Sequence, residues 1–301
     1  MNLDLFILAL ADGISYASLL FLVALGLTLI FGVLRILNVA HGSLYAFGGY
    51  LAATLSLAVA GREPSTGALL LCLVGAALIV GIVIGSILEL GLLRRVQDRD
   101  PVVKLLITFA AFMIFEDIQR LVWGASPYSA PEIVVRFGTI DVAGGTFTRY
   151  QLLFIPGVAL ATYAALLLFL KNTSLGKQVV AVTHDREVAT AIGIDARRIG
   201  YLVFIVGAVL GALGGALTAP TTSLLPGVGT EMIVLSFAVV ATAGMGQITG
   251  ALIAALLIGL ARSIALYTLP ELEVVVPYLI MLAVLLVRPN GLLTVAESRK
   301  I

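Results

Sequence analysis

Two groups of polar side chains stand where the chain is otherwise apolar. Asn38, His41, Ser43 and Tyr45 fall close together, and Thr218, Thr221, Thr222 and Ser223 surround Pro220. Amide, imidazole and hydroxyl groups at these spacings offer hydrogen bonds rather than covalent chemistry. On a helix, Asn38 and His41 are three positions apart and His41 and Tyr45 four, so they share a face. Such a face either lines a path or gate for a polar solute, or forms an internal network that pins a broken helix. The threonine cluster leaves the same two readings open, and Glu231 reads either as a group at an outer mouth or as a helix cap. Catalysis and metal binding have little material. Cys72 is the single cysteine, in an apolar stretch, and His41 and His184 are the only histidines, far apart in sequence. No catalytic residue and no metal ligand set is expected.

The elements that hold these groups must be membrane helices. Of 301 residues, 60% are hydrophobic and 12% charged, against about a quarter charged in soluble domains. The formal net charge is +1, which leaves no basic field for a nucleic acid. A span needs about 20 apolar residues to cross roughly 30 Å of hydrocarbon. Runs 13–34, 36–61, 64–88, 150–170, 199–230 and 232–261 qualify, and 105–123 and 274–287 are shorter candidates. The sequence Ala243-Gly-Met-Gly246 predicts that the run 232–261 is broken in two. The expectation is an all-α polytopic membrane protein with eight to nine transmembrane segments, read as one domain over residues 1–301.

The sparse charge gives a direction. Arg94, Arg95, Arg99 and Lys104 form one basic loop, Lys171, Lys177, Arg186, Arg197 and Arg198 a second, and Arg288, Arg299 and Lys300 a third. By the positive-inside rule these are cytoplasmic. The loops around Arg62 and Glu63, over 124–149 and over 268–273 are poorer in basic residues and are expected outside. An outer N-terminus and a cytoplasmic C-terminus require an odd number of passes, favouring nine. The opening Met1-Asn-Leu-Asp4 lacks a basic n-region, so the first apolar run is expected to stay in the mature protein.

Small residues supply the means of packing, because helices in lipid associate through close backbone approach. Gly207, Gly211 and Gly215 repeat every four positions beside Ala208, Ala212 and Ala216, and Gly81 and Gly85 repeat the device. This is expected to be helix packing rather than substrate contact. The stretches 31–38 and 219–222 carry the Gly, Pro and polar residues of interrupted helices, which at membrane depth occur only where they are buried or line a cavity.

Residues 171–198 form the most informative loop. Thr183 or Asp185 is a candidate cap for a short helix, and Gly193 a candidate stop. Exposed charge at Asp185, Arg186 and Glu187 with small apolar Ala189 and Ile192 suits a knob that docks into another protein, or a solvated connector. Residues 124–149 alternate over 132–141 before Gly144-Gly145, which predicts a small β-hairpin on the opposite side. It would receive a partner protein or merely cover the bundle.

The stretch Gly26-Leu-Thr-Leu-Ile-Phe-Gly-Val-Leu-Arg-Ile-Leu-Asn-Val-Ala-His-Gly-Ser-Leu-Tyr45 resembles the N-terminal signature of the membrane permease subunits of branched-chain amino acid ABC importers, the Liv type. So do Asp185-Arg-Glu-Val-Ala-Thr-Ala-Ile-Gly-Ile-Asp195, Gly244-Met-Gly-Gln-Ile-Thr-Gly-Ala251 and Arg288-Pro-Asn-Gly-Leu-Leu293, in that order along nearly the whole chain. The resemblance implies a type II-like ABC importer permease fold in a bacterial inner membrane. It also implies four companions in an assembly: a homologous second permease, two cytoplasmic ATPase subunits, and an extracytoplasmic binding protein that delivers the substrate. Coupling to the ATPases would fall to Thr183, His184, Asp185, Arg186, Glu187, Ala189, Ile192 and Gly193. ATP and magnesium would be bound by the partners and no cofactor by this chain, consistent with the lack of a Walker A loop: the only Gly-Lys pair, Gly176-Lys177, is followed by Gln178.

An amino acid zwitterion needs both charges compensated, yet few ionisable residues fall deep within the runs. A weakly polar, low-affinity path is therefore expected, fed by the binding protein. Urea or short-amide importers have similar permeases and form one alternative. A stand-alone secondary transporter or channel is another; it should carry a partnered carboxylate deep in a span, whereas Glu89, Glu116 and Asp117 lie near span ends.

Overall fold

The computed structural model describes residues 3–62, 64–97 and 99–293. Met1, Asn2, Glu63, Arg299 and Lys300, used above for orientation, lie outside the described residues. The described residues form thirteen α-helices and one two-stranded sheet. They are α1 Leu3–Leu34, α2 His41–Ala60, α3 Thr66–Ile79, α4 Gly85–Gly91, α5 Pro101–Trp123, α6 Glu132–Phe137, β1 Thr139–Val142, β2 Gly145–Thr148, α7 Ile155–Asn172, α8 Ser174–His184, α9 Arg186–Ala191, α10 Ala196–Thr218, α11 Val228–Ala243, α12 Ile248–Thr268 and α13 Val276–Val287. A π-helical turn, Val80–Ile84, joins α3 to α4, and another, Tyr150–Phe154, leads into α7.

Among the described residues, six helices are long and apolar enough to cross a membrane: α1, α2, Thr66–Arg95, Tyr150–Asn172, α10 and α12. The shorter α11 and α13 are apolar, and α5 has 23 residues but carries Glu116, Asp117 and Arg120 toward one end. Arg120 Nη2 bonds Glu116 Oε1 at 2.8 Å, one turn away. The chain is thus a multi-pass helical membrane protein.

All three predicted breaks are present. Residues 35–40 interrupt α1 and α2, residues 219–227 separate α10 from α11, and 244–247 separate α11 from α12. At the last, Gly244 and Gly246 take φ +98° and +85°, which a side chain would strain. The run 36–61 is corrected by the first break: helix begins only at His41. The start of α2 is buried and has no side-chain cap, so its first amides are satisfied by backbone, His41 N–H to Asn38 O at 3.2 Å and Ser43 N–H to Ala40 O at 3.1 Å.

α1 stands at the centre of the bundle. Leu20 through Ile30 are buried almost without interruption, as expected of a helix that is apolar all round. It packs against α10, α12, α11 and α7, while α2 packs against α10, α3 and α11. α5 lies outside α2, and α13 outside α11 and α12.

The 124–149 segment differs from its prediction in two ways. Residues 132–137, read as part of an alternating strand, form α6, because Pro131 at the N-cap and Glu132 in the first turn favour a helix start. The hairpin turn falls on Ala143-Gly144 rather than Gly144-Gly145, since Val142 pairs with Gly145. Both turn residues have positive φ, 46° and 79°, which matches the twist of a two-residue hairpin. The segment is tied into the bundle by Tyr128, whose N–H and C=O pair with Leu224 at 3.0 and 2.8 Å.

Candidate functional site

The polar face of α2 meets the glycine stripe of α10. His41 is fully buried, and its Nε2 lies 3.0 Å from the Val23 carbonyl of α1. A Cβ added at Gly211 would stand 2.7 Å from the imidazole, and one at Gly26 would stand 3.1 Å from it. A Cβ at Gly215 would overlap the Tyr45 carbonyl, and one at Gly207 would come within 2.7 Å of the Gly26 carbonyl. The stripe is glycine because an imidazole and two neighbouring backbones occupy the space where its side chains would be. Two features that the sequence presents separately, polar residues and a small-residue ridge, are one interface.

The Tyr45 carbonyl packs against Gly215 of α10, three residues before Thr218. Thr218 donates to Gly214 O at 2.8 Å and Thr221 to Thr218 O at 2.9 Å, whereas Thr222 is exposed. The side chains of Asn38 and Ser43 make no hydrogen bond to His41 or Tyr45. Ser43 presents its carbonyl to Gln119 Nε2 of α5 at 3.4 Å, and the side chains of Asn38 and Ser43 are buried without a hydrogen-bond partner among the described residues. Thr108 of α5, which the sequence did not single out, supports the break: its Oγ1 accepts from Val39 N–H and donates toward Leu37 O, each at 3.3 Å.

At the C-terminal end of α1 lies the 171–198 loop, built as two short helices. Thr173 caps α8 through Gly176 N–H at 2.9 Å. Asp185, rather than Thr183, caps α9: its Oδ1 accepts from Glu187 and Val188 N–H at 2.9 and 3.0 Å. Thr183 and His184 belong to the end of α8 instead, with Thr183 Oγ1 donating back to Val179 O at 2.8 Å. Gly193, at φ +92°, ends α9 as predicted. The predicted coupling residues divide by exposure. Ala189 is 2% exposed and faces the bundle, whereas Ile192 and the unpredicted Val188 are 71% and 56% exposed. A cavity of about 480 Å³ lies between this loop and the end of α1, lined among others by Arg35, Gln97, Lys104, His184 and Arg186. The Arg35 guanidinium reaches the Thr183 carbonyl at 3.4 Å across it.

Asp195 closes the loop by capping α10, accepting from Arg197 and Arg198 N–H at 3.1 and 3.0 Å. The Arg198 amide first, then that of Arg197 and the two guanidinium charges, hold its carboxyl below the ordinary aspartate range. A lowered folded-state pKa gives stability that is complete above the unfolded value and lost as pH falls through the folded one. The melting temperature of the wild type should therefore exceed that of Asp195→Ala by a constant margin near neutrality, and the margin should close on acidification. A margin that widens in acid contradicts the cap.

A family described as branched-chain amino acid transport system / permease component matches this chain over residues 9–285. The chain belongs to that family. Its relatives include the high-affinity branched-chain amino acid transport system permease protein LivH of Escherichia coli K12, 26% identical and covering 96% of each chain. BraD of Pseudomonas aeruginosa, a permease protein of the same description, is 26% identical over 97% of each chain. A probable LivH of Methanocaldococcus jannaschii is 29% identical, over 94% of this chain and 91% of that one. Among solved structures, PsaBC from Streptococcus pneumoniae in complex with Fab aligns with a TM-score of 0.45 at 12% identity, over 93% of this chain and 91% of that one.

The chain is a transport system permease component, and it has a charged centre that the sequence reading missed. Arg262, inside α12, pairs with Glu273, and Ser263 donates to Asp12 Oδ2 of α1 at 3.0 Å. The apolar run 232–261 ends one residue before this arginine; extending the helix to Thr268 by its continuing apolar content would have found it.

Proposed function

We propose that the permease is the transmembrane subunit of an ATP-driven importer that moves branched-chain or other neutral amino acids across a bacterial inner membrane. The family match over residues 9–285, with relatives named for branched-chain amino acid transport along nearly their full length, is the observation that carries this reading. A homologous second permease, two cytoplasmic ATPase subunits and an extracytoplasmic binding protein complete the assembly, with ATP and magnesium held by the ATPases.

In this reading α1, α2, Thr66–Arg95, α5, Tyr150–Asn172, α10, α11, α12 and α13 make nine passes, from an outer N-terminus to a cytoplasmic C-terminus. The α8–α9 end is cytoplasmic, and α9 is the knob on which an ATPase seats. The α2–α10 interface, with Asn38, His41, Ser43, Tyr45 and Thr218, Thr221 and Thr222, borders the translocation path. Support for a moving interface comes from its construction: glycine-mediated backbone contact has few interlocked side chains to unlock when one helix slides on another.

Reconstitution with these partners in proteoliposomes should give ATP-dependent accumulation of leucine, isoleucine and valine when the binding protein is present, and none of urea. Accumulation of urea or a short amide instead would replace the substrate class. Uptake by this chain alone, driven by a proton or sodium gradient, would replace the transporter class.

A further inference from the structure

Arg262 is the basic side chain set farthest from a helix end among the six long apolar helices, six residues before Thr268. That distance is about 9 Å along the axis. Charged groups at such positions are costly and are kept where they have partners or a task. Its partner is Glu273, beyond the end of α12, and the two side chains are 20% and 21% exposed. The Tyr16 ring of α1 lies 3.9 Å from the guanidinium carbon, a cation–π contact that shields one face of the cation. The Tyr16 hydroxyl is buried and has no hydrogen-bond partner among the described residues. One further carboxylate is close: Asp12 accepts from Ser263, the residue next to Arg262.

We propose that Arg262 and Glu273 form a transient binding site for the headgroup of an α-amino acid zwitterion, at the hairpin end of the bundle. This rests on the amino acid importer reading above. The substrate carboxylate takes the place of Glu273 on the guanidinium, and the substrate ammonium is received by the released Glu273, with Asp12 adding negative charge nearby. An exchange of this kind leaves every charge partnered throughout, whereas opening the ion pair to an uncharged solute would strand two partly buried charges.

The guanidinium keeps donors for it. Arginine has five N–H donors, and the described residues engage one of them, in the bond to Glu273. With one face covered by Tyr16, the edge of the guanidinium remains for a bidentate carboxylate, and the orphaned Tyr16 hydroxyl is an additional donor. The built-in Glu273 competes with the arriving carboxylate. Binding is therefore weak, as suits a step that receives a substrate from a binding protein and passes it on.

The alternative role for the pair is a static tie between α12 and the turn that follows it, and variants separate the two. In the reconstituted complex, Arg262→Lys keeps the cation and the pair but loses the planar fork. It should melt as the wild type does, while ATP-dependent leucine uptake falls at least tenfold and binding-protein-stimulated ATP hydrolysis continues. The charge-exchanged double variant R262E/E273R should recover the melting temperature lost by Arg262→Gln but not its uptake, because the two charges then face the zwitterion in the wrong order. Wild-type uptake by Arg262→Lys, or uptake restored by the charge exchange, would overturn the headgroup site and leave a tie. If the wild-type complex itself takes up no amino acid, the importer reading has failed; if it does and these variants match it, only this proposal has.

Discussion

Gly215→Leu should yield no stably folded permease. A Cβ at this position overlaps the Tyr45 carbonyl oxygen and falls 2.7 Å from the carbonyl carbon and 3.0 Å from the Gly49 amide nitrogen. All three obstacles are backbone atoms of α2, so no change of rotamer relieves them, and the leucine must drive α2 away from α10. Overpacking in a deformable core costs about 1–3 kcal/mol; against rigid backbone the cost should exceed about 3 kcal/mol, a large part of the 5–15 kcal/mol that keeps a typical domain folded. The same separation would withdraw His41 from its place between Gly26 and Gly211. Gly75→Leu is the control, because nothing lies within 4 Å of a Cβ there. Size-exclusion profiles and melting curves in detergent should show a wild-type protein for Gly75→Leu and aggregation or loss of yield for Gly215→Leu. A monodisperse Gly215→Leu variant with wild-type melting would mean that the α2–α10 contact is not a packed interface.

The second large effect is functional. The double variant V188D/I192D should fold as the wild type does and transport at less than a tenth of its rate per ATP hydrolysed. Both side chains are exposed, so neither contributes to the bundle, and the capping bonds of Asp185 and the left-handed stop at Gly193 hold α9 in place without them. What the substitutions remove is an apolar surface on a short helix projecting from the bundle, and burying two new carboxylates in a protein contact is costly. Ala189→Trp is the instructive contrast. Because Ala189 faces inward, a tryptophan there should unseat α9 and lower the melting temperature along with coupling. Unchanged uptake per ATP in V188D/I192D would show that α9 is a connector rather than the ATPase contact.

Some features were legible in the sequence because they depend on local backbone chemistry. The Gly-Met-Gly break after Ala243, the Pro220 break and the stop at Gly193 follow from a proline, which removes a helical hydrogen bond, and from glycines free to take positive φ. The two helices of the 171–198 loop follow from caps. Where several residues could serve, the neighbours decided. Asp185 outcompetes Thr183 as a cap because Thr183 is still inside α8, and the hairpin turns at Ala143-Gly144 because cross-strand pairing from Thr139 with Thr148 sets the register. The helix at 132–137 was read as a strand because a six-residue apolar stretch carries no decisive period.

Faces were the harder matter. In a soluble protein the polar side of a helix marks its solvent face, but here the polar residues of α2 are buried, α1 is apolar all round through its middle, and lipid and protein neighbours select the same residues. Exposure of Val188 against burial of Ala189, and the burial of His41 against glycine, are therefore invisible in composition.

The sequence by itself determined that this is a multi-pass membrane protein of the permease family, where its helices break, and which ridge of glycines lets two of them touch. Only the tertiary structure decided what they touch, because a glycine records the absence of a side chain and not the identity of the group that fills the space. The same holds for Arg262: its charge is plain in the sequence, but the bent path that returns Glu273 to it, and the α1 helix that lays Tyr16 across it, exist only once the chain has closed on itself.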